Sequence, residues 1–162
     1  MQGNIVEYVE HGKFICAAVI TDTGSRLRLL NQNGREMNLP KARIVHHSPG
    51  AFLETTPRDH ILQELQEVSS FRQSITLPVS LQDVWELASE NEGQCFTPRF
   101  LTELCFGEQA TNDHVAAFLR AIFQEKLFFK YRGEAIQAHP PEVVEQLKLK
   151  QEREQQQEEI LN

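Results

Sequence analysis

Arg26-Leu27-Arg28-Leu29-Leu30-Asn31-Gln32-Asn33-Gly34-Arg35-Glu36-Met37-Asn38-Leu39 reads as two strands joined by a turn. Arg26-Leu27-Arg28-Leu29 alternates charged and apolar residues with period two, the pattern of a half-buried strand. Asn33-Gly34 is a hairpin signal because both residue types tolerate positive φ. Met37 and Leu39 alternate with Glu36 and Asn38, and Pro40 ends that strand. Toward the N-terminus, Ile5, Val6, Tyr8 and Val9 precede a His11-Gly12 turn, and Phe14–Ile20 is an apolar run closed by Asp22-Thr23-Gly24. Ile44-Val45 is read as a last short strand. Four or five short strands in residues 1–48 predict a small SH3-like β-barrel.

Beyond this the patterning turns helical. Ser48-Pro49-Gly50 is a linker signal. Residues 49–79 form a connecting segment, with a helix opened by Thr56 as N-cap, Pro57 at the first position and Asp59 at the third. Ile61, Leu62, Leu65 and Val68 make its apolar stripe. Residues 80–140 repeat the grammar. Ser80 opens a helix with Val84, Leu87 and Ala88 inward and Gly93 just past its end. Thr97-Pro98 opens a second, from Arg99 to about Cys105, stopped by Gly107. Thr111 caps a third, with Val115, Phe118, Leu119, Ile122 and Phe123 at helical spacing. Leu127–Tyr131, an Arg132-Gly133 turn and Ala135–Ala138 then make a β-hairpin. Three short helices and a hairpin follow the order of a winged-helix domain. Residues 141–162 form a charged helix, apolar only near the front (Val143, Val144, Leu147) until Ile160-Leu161. It is expected to be a semi-rigid spacer to a following domain. The fold class is therefore α+β and multi-module.

Composition narrows the function classes. The 162 residues are 40% hydrophobic and 24% charged, with no run long enough to span a membrane. The start, Met1-Gln2-Gly3-Asn4, has no basic-then-apolar signal segment. Three cysteines, Cys16, Cys95 and Cys105, form no CxxC pair and read as reduced, buried thiols of a cytoplasmic protein. The net charge of −7 is uneven: six basic residues against four acidic ones give residues 1–48 a balance of +2, so the remainder carries −9. A polyanion meets repulsion over most of this surface, the first module excepted.

No catalytic constellation is present in the sequence. The four aspartates, Asp22, Asp59, Asp83 and Asp113, each sit at a turn or helix start and do not cluster. His46-His47 has no metal-ligand spacing around it and reads as loop at the barrel exit. There is no dinucleotide fingerprint, P-loop or nucleophile elbow. The candidate binding set is basic: Lys13, Arg26, Arg28, Arg35, Lys41 and Arg43. Such a face either tracks a phosphate backbone, as single-strand grooves do, or is a solvated face with arginines lying along the barrel. Tyr8 either stacks on a base or packs in the core. In the third helix the face opposite Phe118 and Ile122 offers Asp113, Ala117, Arg120 and Gln124. One arginine beside an aspartate suits a protein contact better than DNA. Lys130 and Arg132 on the hairpin are the candidates for a secondary RNA contact.

Gly3–Tyr8, Ile15–Val19, Arg26–Leu30 and Arg35–Leu39 resemble the start of a divergent branch of the ribonuclease II/R (RNB) exoribonucleases, and Leu81–Trp85 and Leu127–Tyr131 resemble its helical region. The resemblance implies Mg²⁺-dependent, processive hydrolysis of single-stranded RNA from the 3′ end, in a catalytic domain that would follow residue 162. No position here matches the family's acidic metal site, so no catalytic residue is carried over, and no cofactor is expected in this chain. The better-known members carry cold-shock barrels with aromatic RNA-binding motifs, which this sequence lacks. The front end then either grips single-stranded RNA weakly or packs on the downstream nuclease domain. Two other functions fit the pattern: a protein-interaction adaptor docking through the winged helix, and a transcription regulator.

Overall fold

The computed structural model describes residues 1–89, 95–133 and 135–161, with side chains as far as residue 157. In chain order the elements are β1 (Ile5–Glu10), β2 (Lys13–Asp22), β3 (Arg26–Asn31), β4 (Glu36–Pro40), a 3₁₀ turn (Lys41–Arg43), β5 (His46–Ser48), α1 (Arg58–Ser74), α2 (Leu81–Ala88), β6 (Cys95–Phe96), α3 (Pro98–Phe106), α4 (Asn112–Glu125), β7 (Phe129–Arg132), β8 (Ala135–Ala138) and α5 (Pro141–Leu161). The fold is mixed α+β, and the chain gathers into two compact units. The first is Met1–Thr76 with Thr111–Arg120, and the second is Leu77–Ala110 with Ala121–Asn162. No helix of the described residues is long and apolar enough to cross a membrane.

The first unit is built on a five-stranded antiparallel sheet in the order β4-β3-β2-β1-β5. Its two faces are buried by different partners. One gathers Val6, Tyr8, Ala17, Val19, Leu27, Leu29 and Leu39. The other packs Ile5, Cys16 and Ala18 against Leu65 of α1, with Phe52, Ile61 and Val68 around them. Double burial explains why the middle of β2 reads as a continuous apolar run, whereas β3 alternates. Tyr8 is core, its hydroxyl accepting from Asn31 Nδ2 at 3.1 Å. His11 and Gly12 both take positive φ (52° and 75°), the two-residue turn that suits strand twist. The β3–β4 connection differs from the expectation. Only Gly34 has positive φ, and the Asn31 carboxamide organises the loop by accepting from the Asn33 and Arg35 amides, each at 3.0 Å. Gly50 has no room for a Cβ, which would collide with the Gly3 carbonyl, so residues 50–52 run close against the start of β1.

Other expectations shift with the backbone. The strand expected at Ile44-Val45 lies at His46–Ser48, because the 3₁₀ turn consumes Lys41–Arg43. His46 is therefore buried sheet rather than loop, while its neighbour His47 is exposed. Thr56 does not cap α1. Pro57 occupies that position, and the Thr56 hydroxyl accepts from the Leu53 amide at 2.9 Å, closing the preceding turn.

In the second unit Ser80 caps α2, accepting from Asp83 N at 3.1 Å, and Thr97 caps α3, accepting from Phe100 N at 3.2 Å, with Pro98 next. The predicted hairpin forms as β7 and β8, and β6 adds a third strand, giving the order β6-β8-β7. Val84, Leu101, Ile122, Phe128, Phe129, Ile136 and Val144 make its core. Trp85 donates to the His139 carbonyl at 2.8 Å and lies 5.4 Å from the Phe128 ring. Leu87, expected inward, is 54% exposed, and Cys95, expected buried, is exposed on β6. Gly93 lies outside the described residues. α5 buries Val144 and half-buries Val143 and Leu147, and is exposed from Lys148 through Gln157. The side chains of Ile160 and Leu161 also lie outside the described residues.

Candidate nucleic-acid interface

The basic set of the first unit divides into small groups. Arg26 and Arg28 project from β3, both exposed, opposite buried Leu27 and Leu29. Arg28 Nη2 stands 3.0 Å from Glu36 Oε2 on β4. Arg58, at the start of α1, completes this group: its Nη1 is 3.9 Å from Glu36 Oε1, and its Nη2 donates to the Gly34 carbonyl. Lys41 Nζ is 3.0 Å from Asp22 Oδ1, and the N-terminal amine is 3.2 Å from Asp22 Oδ2. The Gly24 amide, Lys41 and the terminus together hold the Asp22 carboxyl down at about 2. Arg35 Nη1 stands 3.9 Å from Glu10. Lys13, Arg26 and Arg43 are exposed and form no ion pair among the described residues. Arg58 joins the set only in three dimensions. It lies 24 residues from Gly34, and its Thr-Pro-Arg-Asp context announces a helix start and nothing more.

Beside this group is a cleft of about 240 Å³, with Ala18, Leu30, Phe52 and Ile61 among its walls and Glu36, Glu54 and Arg58 among its polar lining. Phe52 is half-buried, and neighbouring Leu53 is 71% exposed. In the second unit Lys130 and Arg132 point outward from β7, alternating with buried Phe129 and half-buried Tyr131. Tyr131 packs on Phe123 at 5.2 Å.

The other concentration of charge is buried in the first unit, around Glu7. Its carboxylate is fully enclosed. Arg72 Nη1 is 3.0 Å from Oε2, Arg120 Nη2 pairs with Oε1, and the Cys16 thiol donates to Oε1 at 3.3 Å. Arg72 also donates to Ser48 Oγ at 3.0 Å and to Asp113 Oδ1 at 2.7 Å. His46 Nδ1 stands 3.4 Å from Oε2 without the alignment of a hydrogen bond. Burial alone raises the Glu7 pKa. The contact with His46 and the charges of Arg120 and Arg72 outweigh it and hold the carboxyl at about 2. The Cys16 thiol is pushed up to about 12, by burial first and then by the Glu7 charge, so it stays protonated and serves as a donor rather than a nucleophile.

Arg120 and Asp113 were expected on an outward face of the third helix. Instead Arg120 reaches Glu7, Asp113 reaches Arg72, and Ala117 is buried. The cluster is a structural tie among β1, β5, α1 and the first turns of α4, with every acid facing a base. Among the described residues no group of three or more His, Cys, Asp or Glu side chains gathers as a metal site requires.

Comparison with known proteins gives one informative likeness. Over 148 residues, 91% of this chain, the sequence is 28% identical to a protein of Synechocystis sp. named as an uncharacterized ribonuclease. The chain spans 21% of that protein's length. No family model and no solved structure matches.

Proposed function

We propose that this chain is a non-catalytic, RNA-engaging accessory region of a 3′-to-5′ exoribonuclease of the ribonuclease II type. The observation that carries the reading is the likeness to a ribonuclease over nearly the whole of this chain but only about a fifth of the relative. Mg²⁺ and the acidic site that holds it then belong to another part of the parent protein. In this reading residues 1–48 are an SH3-like barrel, 49–79 a connecting segment, 80–140 a winged-helix domain and 141–162 a helix toward the nuclease domain. The barrel reading is supported by five antiparallel strands that gather one apolar cluster between them, and the winged helix by the chain order α2-β6-α3-α4-β7-β8 with sheet order β6-β8-β7.

The RNA contact in this reading is the exposed guanidinium surface of β3, Arg26 and Arg28, with Lys13, Arg35, Lys41 and Arg43 contributing long-range attraction. Few phosphates are neutralised, so binding is weak, on the order of micromolar at low salt, and falls with a log–log slope of about −0.7 per phosphate. Fluorescence anisotropy with a labelled 12-mer of single-stranded RNA tests this. Replacing Arg26 and Arg28 by Ala weakens binding and flattens the salt slope. Absence of binding at 50 mM salt on the order of 100 µM chain, or a slope unmoved by the double substitution, defeats the proposal.

A second reading, a protein-docking adaptor, is favoured by one feature of the second unit. Phe100 is 47% exposed, stacked on Phe96 at 5.6 Å, and Leu87 is 54% exposed.

A further inference from the structure

We propose that Glu36 stands in for a backbone phosphate at the mouth of the Phe52 cleft, and that the cleft receives one base of a single-stranded RNA. The inference rests on the RNA-engaging reading of the first unit and names the subsite. Arg28 and Arg58 approach opposite oxygens of one carboxylate, at 3.0 Å and 3.9 Å. Two guanidinium groups bridged by a planar anion are the arrangement that also takes phosphate oxygens. Arg58 is positioned for it, because its other terminal nitrogen is held by the Gly34 carbonyl.

Exposure makes the internal anion replaceable. The Arg28, Arg58 and Glu36 side chains are 57%, 56% and 42% exposed, and pairs this wet are held weakly. A backbone phosphodiester, with one charge shared over two non-bridging oxygens as in the carboxylate, competes for the same fork. The strand places the rest. Arg26, Arg28 and Leu30 follow one another at two-residue steps, so they share the sheet face on which the cleft opens, and Leu30 is part of its wall. At about 240 Å³ the cleft is smaller than the pockets that enclose whole drug-sized ligands and suits one ring. Phe52 supplies an aromatic surface of the kind on which single-stranded bases stack without regard to sequence. A guanidinium pair already gripping an anion favours RNA over an apolar protein side chain as the occupant.

Anisotropy with fluorescein-labelled oligouridylate 12-mer, across a salt series and on the whole chain, tests this. Removing the internal competitor makes Glu36→Gln bind roughly threefold to tenfold more tightly, with a steeper salt slope. Adding Arg58→Ala to it abolishes the gain. Phe52→Leu keeps an apolar wall but loses the ring, and weakens binding by about fivefold to tenfold under conditions where circular dichroism shows the variant folded. Unchanged or weaker binding by Glu36→Gln overturns the proposal. So does unchanged binding by Phe52→Leu, which leaves the cleft to a protein side chain. If Arg26→Ala/Arg28→Ala weakens binding while Glu36→Gln and Phe52→Leu do nothing, this inference alone fails. If neither wild type nor Glu36→Gln binds at low salt, the RNA-engaging reading fails with it.

Discussion

Glu7→Gln probes the buried charge cluster, because glutamine keeps the shape of the side chain while removing its charge and turning one acceptor oxygen into a donor. Two guanidinium groups, Arg72 and Arg120, then face an amide inside the protein, with Arg72 only 3% exposed. The magnitude follows by two routes. Holding the carboxyl at about 2 instead of 4.5 corresponds to roughly 3 kcal/mol of stability. Removing one member of a buried pair costs about 3–5 kcal/mol. For a slope of about 2 kcal/mol per M, the urea midpoint of the first unit falls by about 2 M at pH 7. The pH sign is that of a depressed acid. The stabilisation is fully present above about 4.5 and is lost as pH falls through about 2, so wild type loses it in that window and Glu7→Gln has none to lose. The single tryptophan, Trp85, belongs to the second unit, so its fluorescence does not report the change. Amide exchange in β1 and α1 does. A loss below about 1 kcal/mol, with the acid transition unchanged from wild type, refutes the reasoning.

Three further outcomes are expected. The chain alone should not cleave single-stranded RNA with Mg²⁺ or Mn²⁺ present, and cleavage that copurifies with it and disappears when its own carboxylates are replaced would contradict the accessory role. Lys130→Ala/Arg132→Ala should change oligouridylate affinity by less than about twofold in the anisotropy assay. A larger loss moves the contact to β7. In α5 amide protection should be strong around Val143–Leu147 and fall beyond Gln151, since the side chains from Lys148 through Gln157 are exposed. Uniform protection through Gln155–Gln157 in the monomer would mean that this stretch packs on the protein.

The elements legible in the sequence are those whose cause is local. The Arg26–Leu29 alternation, the His11-Gly12 turn, the Ser80 and Thr97 caps and the β7–β8 hairpin each depend on residues a few positions apart, and each is present. β6 was missed because two residues carry no period. The charge cluster was missed because its members lie far apart, Glu7 being 65 residues from Arg72 and 113 from Arg120. Two faint signals existed. Glu7 falls between Ile5 and Val9 on one face of a strand, and Arg72 continues the stripe of Ile61, Leu65 and Val68 where an apolar residue is due. A charge in a stripe position on two separate elements points to a buried pair. Nothing comparable marks Arg58 or Phe52. Their positions come from the path of residues 50–58, which runs through the close approach of Gly50 to Gly3.

Two arginine–carboxylate groups in the first unit differ in burial, and burial decides which of them the RNA-engaging proposal can draw on. Around Glu7 the charges are out of reach of water. Any ligand phosphate would have to displace a carboxylate that no solvent can then accommodate, so these arginines are committed to stability. Around Glu36 the same chemistry lies in solvent, where the pair contributes little to folding and little is lost on exchange for another anion. Counting basic residues along the chain cannot separate the two groups, because Arg120 looks surface-bound in its helix and Arg28 looks equally so in its strand. The separation is made by the partner's environment. On the RNA-engaging proposal, the exposed guanidinium groups of β3 and the start of α1 are then the surface on which a polyanion competes.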